Sequence, residues 1–549
     1  MTRPNKTATS FCITILAVLC LSETNAFGIF VDGKGHYVLR GEARQNPSHN
    51  FTSAFQAIDQ FFRLETEIRA GDHSSFFAEF QLFDDQKSAF LGDASNPEDC
   101  SVISEQGTGD DRTKYPSRDG QSNDCLGRPQ NSTEPGYEPY VPRVRKAYAR
   151  YNSDVCLLTV GRRGRSWGMG IYLDEGNNLF DSSASVYDGV TCDINIQKTQ
   201  TMGFSFGYDK ISETGSPLDL DNEDGESFGP QNQGDDLEQL FFSMVHDDTN
   251  TGLANFSKKI GIYFANIMGS GDLKTDIKIA DLYVSFYTPD LVIEAETLFR
   301  LGKSADPNLS RLGGKANVIG DENPRNDVQS IAAAGRIDYF LSKSGALTGP
   351  KEFKRGNLTS HALFFEAAYA PGDKDGYISP VDQDGLPNRT DSSASAVAFH
   401  RNFKPALLLF NGRRGDDRFR VDGIYDPHRL MNTTMFSIGY EYKSMDSGRF
   451  NLKLIKASLN ETIPEEVRQE YDANIASDDP ELAAHYTPIG YKGTDLGWEL
   501  DITWDTQYDT GFEFGGGVAM AIPGNAWEVN PLKKPKTQFL VQSYMAFTF

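Results

Sequence analysis

The sequence predicts an all-β fold: one antiparallel up-and-down β-barrel that crosses a membrane with about 18 strands, or roughly 16 to 20. Three observations predict this fold class. Apolar and charged residues alternate along many short segments, long and short connectors alternate along the chain, and the last segment is an apolar strand that ends on an aromatic residue. A soluble β-sandwich also alternates, but nothing in such a fold sorts its connectors by length.

The alternation is clearest between residues 495 and 507. One set of alternate residues is apolar or aromatic: Leu496, Trp498, Leu500, Ile502 and Trp504. The other set carries the charges of Glu499, Asp501 and Asp505. A face toward lipid and a face toward a water-filled lumen explain the two sets. The same reasoning assigns these charged residues to the lumen face: Arg63, Glu65, Glu67, Arg69, Glu79, Glu294, Glu296, Arg300, Glu499 and Asp501.

Connector lengths carry the second observation. Segments with the period-two pattern begin near residues 36, 57, 75, 143, 155, 189, 200, 237, 259, 275, 291, 327, 360, 434, 450, 495, 511 and 537. Connectors after even-numbered segments are mostly short, whereas those after odd-numbered segments include the longest: 86–142, 164–188, 213–236, 304–326, 373–433 and 460–494. In an up-and-down barrel all odd connectors lie at one end. The long loops are therefore expected outside, and the short turns and both termini on the periplasmic side.

The first 26 residues have the composition of a secretory signal peptide. Arg3 and Lys6 precede an apolar run from Phe11 to Leu21, which is too short to span a bilayer, and cleavage is expected after Ala26. Residues 1–26 are therefore predicted to be removed, and residues 27–549 to form the barrel.

The overall composition agrees with a barrel in which only the outward face is apolar. Hydrophobic residues make up 38% of the chain, aromatic residues 12%, and the mean hydropathy is -0.47. Only every second residue of a transmembrane strand meets lipid, and aromatic residues form girdles at both membrane surfaces. The formal net charge of -24 argues against nucleic acid as a partner.

The final segment alternates through Phe539, Val541, Met545 and Phe547 to the terminal Phe549. This pattern resembles the closing strand of bacterial outer-membrane barrels. The resemblance implies that Phe549 and Phe547 form the insertion signal read by the barrel-assembly machinery. It also implies a place in the outer membrane of a Gram-negative bacterium, where outer-membrane lipid and lipopolysaccharide are the expected partners.

A run of basic residues and glycines between residues 161 and 170 is the most distinctive block of the chain. It contains Arg162, Arg163, Arg165 and Trp167. Its GR followed by WG resembles a segment of alginate-export-type and related porins, as do Gly372-Asp373, Phe399-His400 and the run 407–410. We expect these side chains to fold into the lumen as a pore constriction whose local charge the arginines set. The alternative is that the arginines neutralise wall carboxylates while the glycines bend the strand.

An even number of cysteines follows the signal peptide, which allows two disulfides in an exported chain. Cys100 and Cys125 lie in one predicted outer loop, whereas Cys156 and Cys192 fall on neighbouring predicted strands. The sequence shows neither metal-ligand spacing nor a motif that joins a nucleophile to a base. No catalytic residue, metal or other cofactor is therefore predicted.

These features predict a porin-like channel for the passive diffusion of small hydrophilic or charged solutes, and not an enzyme. Two alternatives stay open: a structural or adhesive surface barrel with a plugged lumen and, with less support, a barrel hydrolase. Assembly of several copies into a homo-oligomer also stays open. Single-channel conductance separates the channel from the plugged barrel.

Overall fold

The computed structural model describes these residues of the chain: 29–45, 54–81, 143–178, 181, 183–195, 201–211, 237–248, 256–269, 275–304, 326–344, 359–373, 393–411, 425–426, 428–444, 448–462, 489–490, 492–507, 511–528 and 535–549. The predicted signal peptide and the predicted pair Cys100 and Cys125 lie outside the described residues. Within the described ranges, no helix has the length and apolar character needed to cross a membrane.

Eighteen antiparallel strands form the wall of the barrel in the described part of the chain. They are β1 (Ile29–Gln45), β2 (Ala54–Ala70), β3 (Ser74–Gln81), β4 (Arg143–Asn152), β5 (Leu157–Gly164), β6 (Val186–Asn195), β7 (Met202–Ile211), β8 (Leu237–Asp247), β9 (Ser257–Gly269), β10 (Asp276–Tyr287), β11 (Leu291–Ser304), β12 (Asn326–Ser344), β13 (Thr359–Ala370), β14 (Thr433–Ser444), β15 (Gly448–Leu459), β16 (Asp495–Gln507), β17 (Phe512–Pro523) and β18 (Gln538–Thr548). A two-residue strand, Ser393–Ala394, adds a parallel pairing to β12 inside a connector. Every predicted period-two segment corresponds to one wall strand.

The barrel closes because β1 pairs with both β2 and β18. His36 lies opposite Thr548, and the register runs without interruption to Gln45 opposite Phe539. Gly35 and Phe549 also exchange main-chain hydrogen bonds of 2.8 and 3.0 Å. Closure pairs the strand edges that an open sheet would leave free. The predicted fold class is confirmed.

The two faces of the wall differ as the alternation predicts. Trp498 is 47% exposed on the outer face of β16, whereas its neighbour Glu499 is fully buried on the inner face. On β13, Leu363 and Phe365 are exposed while Phe364 is buried. Large exposed apolar side chains on one face suit lipid contact, because soluble monomers rarely expose a continuous apolar surface.

The prediction for Leu496 was wrong. Leu496 is fully buried inside the barrel, whereas the alternation placed it on the outer face with Trp498. Gly497 has a φ of 108°, and the pairing between β15 and β16 shifts register beside it. Such an irregularity inserts a residue into one strand, and the residues before it change face.

The connectors sort by length between the two ends, as predicted. The described short turns 71–73, 153–156 and 288–290 follow even-numbered strands at one end of the wall, and the longest gaps between strand bounds follow odd-numbered strands. The start of β1 and the terminal Phe549 lie at the short-turn end. That this end faces the periplasm stays a prediction.

Candidate pore constriction

The described parts of two long connectors fold back into the barrel. We call residues 165–185 loop L3 and residues 371–432 loop L7, because they are the third and seventh connectors at the long-loop end. Asp209, which is fully buried on β7, fixes the end of β5 and the start of L3. Its carboxylate accepts hydrogen bonds from Arg163 Nη2 at 2.8 Å and from Arg165 Nη2 at 2.6 Å. Two guanidinium groups therefore share one carboxylate at the point where L3 begins.

Aromatic rings complete the environment of Arg165. Its guanidinium carbon lies 3.5 Å from the ring centre of Phe241, and its Nη1 donates to the hydroxyl of Tyr263 at 3.0 Å. Cations are attracted to the faces of aromatic rings, and more strongly where water is excluded. The start of L3 is thereby held against β7, β8 and β9.

The middle of L3 contacts β9 and β11. The Trp167 ring packs against Tyr263 with 5.6 Å between ring centres. The N–H of Met169 donates to the carboxylate of Glu296, which is fully buried near the middle of β11. Gly168 permits this approach, because its φ is 56° and a Cβ there would overlap the Glu296 carboxylate. L3 therefore descends well into the barrel.

The last part of L3 contacts the opposite wall. Arg63 on β2 donates to the carbonyl oxygens of Gly176 and Asn178, each at 2.9 Å. Lys146 on β4 donates to the side chain of Asn177 at 2.6 Å. Since its earlier residues contact β7 to β11, L3 crosses the lumen.

L7 lines a different part of the wall. The N–H groups of Leu408 and Leu409 donate to Glu499 at 2.7 and 2.9 Å, and that of Leu407 donates to Asp501 at 3.2 Å. Both carboxylates lie on the inner face of β16. The part of the connector that contains Leu407 to Leu409 therefore lies inside the lumen.

L3 and L7 also contact each other inside the barrel. The N–H of His400 donates to the carbonyl of Ile171 at 2.8 Å, and Asn402 Nδ2 donates to Asp174 at 2.8 Å. Burial lowers the pKa of His400 to about 4, although Asp174 opposes the shift. The imidazole is therefore neutral at pH 7, and its Nδ1 accepts a hydrogen bond from the N–H of Asn402 at 3.2 Å.

Apolar side chains of both loops join the inner wall in one buried cluster. From L3 it includes Ile171 and Leu173, from L7 Phe399 and Phe410, and from the wall Leu298 on β11. A packed apolar core in part of the lumen leaves less room for water. The open cross-section is therefore smaller than that of an empty barrel of 18 strands.

A cavity of about 390 Å³ lies between L3 and the wall. The acidic residues in its lining are Glu175 and Asp193. The basic residues are more numerous: Lys146, Arg150, Arg163, Arg165 and Lys259. Aromatic rings of Tyr148, Phe241 and Tyr283 complete much of the lining. Although the chain as a whole is acidic, this cavity is locally basic.

Of the predicted constriction residues, Arg163, Arg165 and Trp167 lie on the lumen side. Arg162 requires a correction. It shares the outward face of β5 with Val160, which is exposed, and it forms an ion pair with Asp188 at 2.8 Å. Successive side chains of a strand point to opposite faces, so two adjacent arginines of β5 cannot both line the pore.

The predicted lumen-facing charges lie on the inner faces of β2, β3, β11 and β16, but many are engaged. Arg63 and Glu296 bind L3, while Glu499 and Asp501 bind L7. Glu79 accepts from Arg145 at 2.6 Å, and Arg69 pairs with Glu67. Glu294 accepts from the hydroxyl of Tyr283 at 2.9 Å, Glu65 lies 3.7 Å from His36, and Arg300 also occupies an inner-face position.

The other predicted residues are placed as follows. A disulfide joins Cys156 to Cys192, with a Cα–Cα distance of 5.6 Å. Phe547 is exposed on the outer face of β18, and the ring of Phe549 stacks on Phe62. The described residues contain no group of three or more metal-ligating side chains.

Comparisons with known proteins give structural likeness only. No family model matches the chain, and no curated protein matches it. Among solved structures it is similar to Pseudomonas aeruginosa OccK8 (OprE), with a TM-score of 0.44 and 11% identity over 94% of this chain and 98% of that one. It is similar to P. aeruginosa OpdQ, with a TM-score of 0.44 and 10% identity over 94% and 98%. It is also similar to P. aeruginosa OpdK with vanillate, with a TM-score of 0.43 and 10% identity over 94% and 98%. The resemblance to alginate-export-type porins stays a prediction.

Proposed function

We propose that the chain is an outer-membrane channel for the passive diffusion of small hydrophilic or charged solutes. The observation that carries the proposal is a closed barrel of 18 strands in which L3 crosses the lumen beside a basic cavity. Closed barrels of this size enclose an aqueous passage. The outer membrane, periplasmic termini, contact with lipopolysaccharide, the barrel-assembly machinery and self-association belong to the same proposal.

The charge of the cavity extends the proposal to the ions that the channel prefers. Arg163 and Arg165 share Asp209, so together these three side chains keep one net positive charge. Arg150 and Lys259 add further positive charge to the lining. Inside a narrow lumen such fixed charges are less screened than at the surface, so the narrow part favours small anions over cations.

The test is reconstitution of the full chain in a planar lipid bilayer. Wild type is expected to give discrete conductance steps, and the variant Arg150→Gln/Lys259→Gln is expected to shift the reversal potential toward cations. Lys278→Gln is the matched control, because Lys278 lies exposed on the outer face of β10. An unchanged reversal potential in the cavity variant would contradict the local charge assignment.

A structural or adhesive surface barrel is the second candidate. It is favoured by the buried apolar cluster that L3 and L7 build inside the lumen. A plugged barrel would insert into the bilayer and show the folded band on a gel, yet it would give no conductance steps. The same experiment therefore decides between the two candidates.

A further inference from the structure

Part of L7 lies against the inner wall as a strap, which we define as residues 405–411. Its sequence, PALLLFN, is apolar although it stands in a connector. It forms no strand or helix, so its main-chain polar groups need partners from elsewhere. Acidic and basic side chains of the wall supply these partners: acids accept from the N–H groups, and bases donate to the carbonyl groups.

Acidic residues accept hydrogen bonds from the N–H groups of the strap. Three consecutive N–H groups, those of Leu407, Leu408 and Leu409, converge on Asp501 and Glu499 at 2.7–3.2 Å. The two carboxylates are two residues apart on β16, and alternate residues of a strand share one face.

Basic residues donate hydrogen bonds to the carbonyl groups at the two ends of the strap. Lys453 on β15 donates to the carbonyl of Pro405 at 3.0 Å, and Arg44 on β1 donates to the carbonyl of Asn411 at 2.8 Å. Lys453 also pairs with Glu366 at 2.5 Å. The strap is thus fixed at its middle by acids and at its ends by bases.

The apolar contacts of the strap differ along its length: Leu409 and Phe410 belong to the buried cluster shared with L3 and the inner wall, whereas Leu407 and Leu408 do not. Leu407 and Leu408 pack against Ala519 and Ala521 of β17 and Leu540 of β18. Small side chains offer little interdigitation, and contact with them depends on the strap being held in place. The polar contacts at Glu499 and Asp501 therefore matter most for the position of Leu407 and Leu408.

The wall beneath the strap is complete without it. β16 pairs with β17 from Gly497 to Gln507, and β17 pairs with β18 from Phe512 to Ala521. Departure of the strap would break no strand pairing and would leave the barrel closed. The N–H groups that leave the carboxylates would be solvated by the water of the lumen.

We infer that Glu499 and Asp501 form a latch that holds Leu407 and Leu408 of the strap against the pore wall, and that loss of both acceptors releases this segment and widens the passage beside β16–β18. The effect on conductance rests on the proposed channel function. The two carboxylates are positioning residues, which act through the main chain of L7 and not on the solute. Their burial beneath the strap keeps them from contributing free charge to the lumen while the latch is closed.

Two latch variants and one control test the inference in the full chain. Glu499→Ala/Asp501→Ala removes the acceptors, and Glu499→Gln/Asp501→Asn keeps one neutral acceptor oxygen at each position. The control, Asp505→Asn, changes an acid of the same strand that pairs with Arg449. Each protein is checked for the folded band by heat-modifiable gel mobility and then recorded in planar bilayers. We expect the alanine variant to show conductance steps about twofold larger than those of wild type. The isosteric variant should show these larger steps less often than the alanine variant does. The control should match wild type.

A labelling measurement makes the result independent of conductance. Ala521→Cys places a thiol under the strap, where Ala521 is fully buried. Its modification by a water-soluble maleimide, mapped by peptide analysis, is expected to be slow with the native latch and at least about tenfold faster with Glu499→Gln/Asp501→Asn, as for local opening of a covered site. Equal labelling rates in both backgrounds would overturn the latch. Absence of conductance in wild type together with faster labelling would overturn the channel proposal and support the latch.

Discussion

Asp209 is the residue whose loss we expect to release L3. It is fully buried on β7, and its carboxylate binds Arg163 at 2.8 Å and Arg165 at 2.6 Å. Asp209→Asn would leave two guanidinium groups facing one neutral amide inside the barrel. Breaking a buried ion pair by removing one partner costs about 3–5 kcal/mol.

The other contacts of Arg165 place the expected cost near the lower end of that range. Arg165 keeps its hydrogen bond to Tyr263 and its position over the ring of Phe241. A desolvated cation–π contact stabilises by about 2 kcal/mol. We therefore expect Asp209→Asn to lower the free energy of unfolding by about 3 kcal/mol. It should also increase the open-channel noise, because L3 would lose its first attachment.

The assay is urea-induced unfolding from lipid vesicles, followed by tryptophan fluorescence, with Asp188→Asn as the matched control. Asp188 pairs with Arg162 on the outer face at 2.8 Å, and 42% of its side chain is exposed. Exposed pairs contribute about 0–1 kcal/mol, so the control should lose far less stability. Equal losses of unfolding free energy in the two variants would refute this account of L3. Open-channel noise in Asp209→Asn equal to that of wild type would also refute it.

Three further predictions concern backbone strain, lipid contact and pH. Gly168→Ala should cost about 1–2 kcal/mol of unfolding free energy, because a φ of 56° disfavours a Cβ, and the Glu296 carboxylate must also move. Leu500→Arg should cost about 2–4 kcal/mol if the residue lies near the membrane midplane, and the inner-face variant Thr503→Arg much less, as measured by vesicle unfolding. His400 has a pKa lowered to about 4 from its ordinary 6.5, so its contribution is full above pH 6.5 and is lost as the pH falls toward 4. Unfolding at pH 7 and pH 4.5 should show a smaller loss of stability in His400→Asn than in wild type.

The wall could be predicted from the sequence because its pattern is local. Period-two alternation needs only neighbouring residues, and it located every wall strand. Where local conformation breaks the period, the prediction fails. Gly497 shifts the register, so Leu496 changes face. Arg162 was misplaced for a related reason, since the block was interpreted as a loop although β5 extends through Gly164.

The partners of the loops could not be predicted, because they depend on long-range contacts. Asp209 is 44 residues from Arg165 in the sequence, and Leu408 is 91 residues from Glu499. Charge alternation places Asp209 or Glu499 on an inner face, but it does not say which connector folds back to meet it. One signal did exist for L7, because an apolar run in a connector, from Ala406 to Phe410, indicates burial.

The contacts of L3 and L7 show that several ionisable side chains inside this barrel hold loops in place. A charged inner face at first suggests groups that act on solutes. Here Arg63, Glu296 and Glu499 each bind the main chain of an inward loop. Irregular backbone can lie inside a barrel only where its N–H and carbonyl groups are satisfied, and acidic and basic side chains of the wall satisfy several of them here. In the proposed channel, selectivity would then come from the charges that line the remaining cavity, such as Lys259. The acidic total of the chain would therefore be a poor guide to the ions that such a channel favours.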